Sequence, residues 1–237
     1  FIENVPKVVF ICWFGVHENE IPLMSDPRFN AFKSLVENIK VPVILITSKN
    51  YKYFIKQTHP IHPSFQYLSG NHKADYFRVY LLLHYGGGYH DIKHRNECWN
   101  ECWNQDNWLT NNDIWMFGRR EKYEGAIGYP PGMKHIQKEY QKLITMCWII
   151  CKPNSLFLKD LVKQIDETLD YHLDNLKKYP AILPGGYYAD KPFDLAPNKS
   201  YPLRWLEVAG EHFHPLMLKY SQHIKFGLPD ALSKRYK

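Results

Sequence analysis

The chain has 237 residues, 45% apolar and 23% charged, which supports one substantial core and excludes a disordered or fibrous polypeptide. No run of about 18 apolar residues occurs, so no membrane-spanning segment is expected. The net charge of +6 is spread along the chain and suits an anionic small ligand at least as well as a nucleic acid, and the odd count of five cysteines points to reduced thiols.

No signal peptide opens the sequence, which begins at Phe1 rather than Met, so a soluble cytoplasmic domain is expected, a removed upstream anchor being compatible with it. Val5 to Gly15 is a β-rich apolar run bounded by Pro6 and Gly15 and reads as a buried first strand. Phe29, Phe32, Leu35 and Val36 recur at helical spacing between Pro27 and Asn38. Val41 to Thr47 reads as a second strand, and Ser48 caps a short helix through Tyr51 to Lys56. Phe65 to Leu68 reads as a further short strand.

Asn71 to His94 organises the rest of the chain. Asn71 is a good helix cap, and Ala74, Phe77, Leu81, Leu82 and Tyr85 form one apolar stripe over about four turns. Gly86 to Gly88 then stop the helix and leave room for backbone to approach a ligand, Gly87 in particular. Tyr89, His90 and Asp91 follow at once, so Asp91 stands at the carboxyl end of a strand, where open α/β sheets bind their ligands.

Behind it, Asn96-Glu-Cys-Trp99 repeats as Asn100-Glu-Cys-Trp103, which on a helix places Cys98 with Cys102 and Trp99 with Trp103 on one face. Ile114 to Gly118 reads as a strand, Tyr129 to Gly132 as a loop, and Lys142 to Ile150 as a strand followed by a long helix opened by Pro153-Asn154-Ser155. Pro184 to Gly186 marks another loop, Tyr201 to Val208 a strand, and Gly210 to Pro215 the start of a last helix. Strand and helix alternation predicts a mostly parallel sheet flanked by helices, and no linker divides residues 1–237.

Asp75 and Arg78 share a helix face, either as an ordinary surface pair or as a site group in which Arg78 orders nearby carboxylates or ligand phosphates. Asp91 and Lys93 point the same way from a strand end; an acid there can hold a cation or a sugar hydroxyl, and a Lys can neutralise a diphosphate. The C-x3-C spacings at Cys98/Cys102 and Cys147/Cys151 fit buried thiols better than zinc, the latter pair lying on one face of a strand. The glycine run has neither dinucleotide nor P-loop spacing, and no nucleic-acid motif is present.

The pattern Asp75-x-x-Arg78, Leu82, Tyr85-Gly86-Gly87 and Tyr89-x-Asp91 resembles the hallmark of DXD-motif sugar transferases, the group of capsular polysaccharide synthesis proteins and initiating mannosyltransferases. Val5-Pro6-Lys7-Val8-Val9 with Trp13-Phe14-Gly15 is similar to that group's first strand, and Cys147 to Ile165 resembles its later strand and helix. The resemblance implies a single-domain GT-A fold, with a donor part over about residues 1–118 and an acceptor side over about 119–237. It also implies transfer from a nucleotide-diphosphate sugar, a UDP-sugar first among them, to an oligosaccharide or glycan hydroxyl.

The sequence departs from the group at Lys93, which stands where a second acid helps to hold manganese or magnesium. The ion would then rest on Asp91 with donor phosphates and a late histidine, His214, or Lys93 would take over part of its work. Alternation on an extended segment would put His212 and His214 on one side as phosphate contacts or ligands. An inverting reaction needs a carboxylate after Asp91, for which Asp190 and Glu211 are the candidates. Trp13 and Phe14 border a nucleotide base or else pack in the core. The rival reading is a non-catalytic carbohydrate-binding protein on a degenerate transferase fold.

Overall fold

The computed structural model describes residues 5–128, 132–183 and 201–231. Among them, strands β1 (Val9–Trp13), β2 (Val43–Thr47), β3 (Gly87–His90), β4 (Met116–Arg120), β5 (Ile144–Cys151) and β6 (Ile224–Phe226) form one sheet in the order β2-β1-β3-β5-β4-β6. β1 pairs in parallel with β2 and β3, and β4 with β6, whereas β5 runs antiparallel to both β3 and β4. The sheet is therefore mostly parallel, as the alternation of elements predicts.

Both faces are covered, which is why the central strands read as continuous apolar runs rather than alternating ones. Val9 and Ile11 of β1 join a cluster with Ala31, Leu35 and Ile39 of α1 (Asp26–Ile39) and with Trp99, Trp103 and Trp108. Phe10 and Cys12 face the opposite side, under α2 (Gly70–His84), α4 (Leu156–Lys178) and α5 (Gly210–Lys219). A short α3 (Lys134–Lys138) lies before β5. In α4, Leu158, Leu161, Ile165, Leu169 and Leu176 are buried at three-, four- and seven-residue spacing while Lys159, Lys163 and Glu167 stay in water. No helix among the described residues is long and apolar enough to cross a membrane.

Several expectations need correction. α2 is capped by Ser69, whose Oγ accepts from the His72 amide at 3.2 Å, so Asn71 lies inside the helix. Its apolar surface is not one stripe: Tyr76, Phe77, Val79, Tyr80, Leu81, Leu82 and Leu83 are all buried, because the helix packs against both β1 and α4. Phe65 to Leu68 is not a strand; Pro63 opens a 3-10 turn, Pro63–Tyr67, and His62 Nδ1 accepts from the Ser64 amide. Tyr201 to Val208 forms no strand either, and the sheet edge is taken by β6, whose three residues are too few for a periodic signal.

The Cys-Trp repeat is a 3-10 turn, Asn100–Trp103, rather than an α-helix, with Cys98 exposed and Cys102 buried. Cys147 and Cys151 likewise diverge, Cys151 packing under α2 and α4 and Cys147 against the other face. A register shift of β5 against β4, between Gly118 and Arg120, breaks the two-residue alternation on which the single-face expectation rested. All five thiols are free.

Candidate active site

The Ser69 cap fixes the start of α2, and Asp75 and Arg78 are three positions apart, so both side chains leave the helix on the face turned to the end of β3. The chain returns through Gly86, at φ 68°, where a Cβ would stand 2.6 Å from Pro153 Cδ and 3.0 Å from the Cys151 carbonyl. β3 then delivers Asp91 one residue past its carboxyl end. The Asp91 amide donates to the Cys147 carbonyl at 2.7 Å, so β5 sets the backbone from which the carboxylate projects.

Arg78 sits between the two acids. Its side chain is 8% exposed, against 14% for Asp75 and 25% for Asp91. Nη1 lies 3.3 Å from Asp91 Oδ1 and donates to the Met146 carbonyl at 3.2 Å, while Nη2 pairs with Asp75 Oδ1. The guanidinium lies 4.6 Å from the centre of the Tyr89 ring, whose hydroxyl donates to Asp91 Oδ1 at 3.0 Å. The pair is a buried ion network rather than the surface contact that spacing alone suggests.

Electrostatics separates the two carboxyls. Burial raises Asp75, and Asp91 adds to the rise, so that Arg78 and His72 do not bring it back to the ordinary value. Burial acts upward on Asp91 as well, but Arg78, Lys93 and the Tyr89 hydroxyl outweigh it and hold that carboxyl below the usual range. Asp91 is thus a fixed anion, and Asp75 is the acid closer to taking up a proton.

Lys93 Nζ lies 3.3 Å from Cys147 Sγ and 5.1 Å from the Trp148 ring centre. Burial, with Asp91 beside it, pushes the Cys147 thiol up to about 11, so it stays protonated. Behind this group, Arg95 is fully buried and donates through Nε to His90 Nε2 at 2.9 Å. That contact places the ring proton on Nδ1, which donates to the Asp91 carbonyl. Arg95 also donates to the Pro229 carbonyl at 3.1 Å, and its own carbonyl accepts from Ser34 and Asn38 of α1.

The structure gathers Asp75, Arg78, Asp91 and Lys93, while the late candidates among the described residues bond to partners of their own. His212 and His214 lie in α5, where residues two apart diverge by about 200°. His212 Nε2 bonds Thr168 Oγ1 at 2.9 Å, and the buried His214 turns its Nε2 to Glu121 Oε1 at 3.4 Å. Glu211 is held by Arg204 at 2.7 and 3.2 Å. Asp190 lies outside the described residues.

Phe14 is buried against Tyr51, Phe65 and Phe77, the core alternative, whereas Trp13 is partly exposed and donates to the Pro22 carbonyl at 2.7 Å. Gly87, at φ 90°, backs onto Pro6 and Val8. Sequence reading missed His90, Arg95 and the buried Lys73. The Lys73 ammonium donates to the Gly15 and Val16 carbonyls and anchors the loop after Trp13, and burial pulls it down to about 8. Only its place two residues before Asp75 hinted at Lys73.

A divalent ion held by the protein needs several hard oxygen donors. Asp91 is already engaged by Arg78 and Tyr89, the adjacent strand-end side chain is the cation Lys93, and no three ligating side chains converge among the described residues. Among the described residues the donor set does not fit a protein-held ion. The capsular polysaccharide synthesis protein family model matches residues 2–130, which contain β1 to β4 and the whole Asp75, Arg78, Asp91 and Lys93 group. No curated protein matches the chain.

Proposed function

Because the chain belongs to the capsular polysaccharide synthesis protein family, we propose that it is a glycosyltransferase of GT-A type acting in polysaccharide biosynthesis. It moves a sugar from a nucleotide-diphosphate donor, a UDP-sugar, to a saccharide hydroxyl. The observation that carries this reading is the position of Asp91, an anion at the carboxyl end of β3 with Asp75 beside it and Arg78 between them. In open α/β sheets that edge is where ligands dock, and paired carboxylates orient sugar hydroxyls.

In this reading Asp75 and Asp91 receive the donor sugar, and Arg78 acts as a positioning residue, since its guanidinium is spent on the two acids and the Met146 carbonyl. Lys93 supplies positive charge to the diphosphate as it leaves, the work a divalent ion performs where a second acid is present. Asp190 remains the candidate base, since Glu211 is held by Arg204 at two points. Isothermal titration with UDP and a set of UDP-sugars, with manganese or with a chelator, tests the reading. Binding that Asp91→Ala weakens about tenfold and a chelator leaves unchanged is expected; a chain that binds no nucleotide sugar overturns it.

Lys93 also favours a second reading, a carbohydrate-binding protein that has lost catalysis. Release of free sugar from the donor, or its transfer to an oligosaccharide, separates the two.

A further inference from the structure

Trp205 is 45% exposed, yet the turn that carries it is tightly built. Its carbonyl accepts from His72 Nε2 at 3.3 Å, and His72 Nδ1 accepts from the buried Tyr201 hydroxyl at 2.7 Å. The same hydroxyl accepts from the Ser69 amide at 3.2 Å. On the other side of Trp205, the Arg204 amide donates to Glu207 Oε2 at 2.8 Å and the Arg204 guanidinium makes a two-point contact with Glu211. Glu207 is in turn bonded to His172 of α4 at 3.1 Å.

This scaffold ties the turn to the helix that carries the site. His72 precedes Asp75 by three residues, so the two share a face of α2, and the Asp75 charge acts on both His72 and Tyr201. A half-exposed tryptophan thus sits on a turn whose backbone is bonded to α2 one helical turn before Asp75, next in sequence to Arg204, which holds the Glu211 carboxylate. That combination matches a pyranose ring, whose C–H face packs on an aromatic plane while its hydroxyls bond planar charged groups. Donor phosphates, by contrast, are served by the cation Lys93 on the β3 side.

We propose that Trp205 is the stacking platform for the acceptor saccharide, with Arg204 and Glu211 as its hydroxyl contacts. The proposal rests on the transferase reading and adds the location of the second substrate. It also gives the Arg204–Glu211 pair a recognition role in place of Glu211 as base.

The test is a printed array of neutral, acidic and N-acetylated oligosaccharides, probed with fluorescently labelled full chain in the presence of UDP, alongside calorimetry with UDP alone. The wild type is expected to retain a defined set of pyranosides. Trp205→Ala should weaken that retention about tenfold and Trp205→Phe by less than about threefold, with UDP affinity and thermal midpoint unchanged in both. Equal retention by Trp205→Ala overturns the proposal, as does a wild type that binds UDP but no glycan. A wild type that binds neither UDP nor glycan sinks the transferase reading and the proposal with it. If Trp205→Ala does not fold, Trp205→Leu against Trp205→Phe gives the same comparison.

Discussion

Arg78 Nη1 and Asp91 Oδ1 lie 3.3 Å apart, joining the middle of α2 to the end of β3 through a guanidinium that also holds Asp75. Removing it leaves two carboxyls facing each other in a largely buried site. Arg78→Met is expected to lower stability by about 3–5 kcal/mol in urea unfolding, the range for stripping one partner from a buried ion group. Arg78→Lys should recover only part, because an ammonium lacks the fork that spans both acids. A methionine variant as stable as the wild type would mean that the network contributes nothing.

The two acids should respond to substitution unequally. The Asp91 carboxyl is held below its unfolded value, so its stabilising contribution is full above that value and is lost as pH falls through the folded one. Asp75 lies above its unfolded value; it costs stability at neutral pH, and the cost disappears as acidification protonates the folded state first. At pH 7, Asp91→Asn should therefore destabilise more than Asp75→Asn, since burial already disfavours the Asp75 charge that the amide replaces. Denaturation curves at pH 7 and pH 4 check this, and an Asp75→Asn loss as large as that of Asp91→Asn at pH 7 would refute it.

Lys93→Asp supplies the missing second acid next to Asp91. Manganese affinity, read by electron paramagnetic resonance without nucleotide, is expected to rise at least about tenfold. Lys93→Ala should instead weaken UDP binding with no gain in metal affinity. If manganese binds wild type and Lys93→Asp alike, Lys93 does not govern the ion.

Gly86 and Gly132 both have positive φ, at 68° and 77°, but only Gly86 has backbone and proline atoms where a Cβ would go. Gly132→Ala should cost about 1 kcal/mol for the left-handed conformation alone. Gly86→Ala should cost roughly 3 kcal/mol or more, since Pro153 and the Cys151 carbonyl must also move. Thermal unfolding of the two variants measures the difference.

Burial and the Arg95 guanidinium push His90 down to about 3. Its imidazole is expected to stay neutral, with the proton on Nδ1, across pH 5 to 8 in nitrogen-15 NMR. In Arg95→Met the bond to Nε2 is gone, so the ring loses its fixed tautomer and UDP affinity falls as the Asp91 backbone loosens. Titration of His90 near pH 6.5 in the wild type would contradict the geometry.

The strand at Val9, the helix around Leu35, the glycine exit at Gly86 and the long helix after Ser155 were legible because each carries its own local signal: β-branched runs, helical spacing, a cap or a left-handed turn. Asp91 was legible for the same reason, as the residue that follows a glycine stop and two strand residues. What stayed hidden depends on contacts far apart in sequence. Arg95 gains its meaning from His90, from α1 and from Pro229, 134 positions away. Two-residue alternation pairs His212 with His214, whereas both lie in α5, where that spacing separates them. Trp205 could not be told from a core tryptophan, since exposure is decided by packing rather than by residue type.

The placement of β5 bears on how this molecule can be made. β4 is hydrogen-bonded only to β5 and β6 among the described strands, and both come after residue 130. A fragment ending there would present β3 and β4 as separate open edges, and the Asp91 amide would lack its Cys147 partner. During synthesis the site remains unbuilt until the ribosome has released Cys151, and the sheet stays open at β4 until Phe226 has emerged. Truncation for expression or crystallography must therefore keep both distant strands, even when only the part that carries Asp75 and Asp91 is wanted.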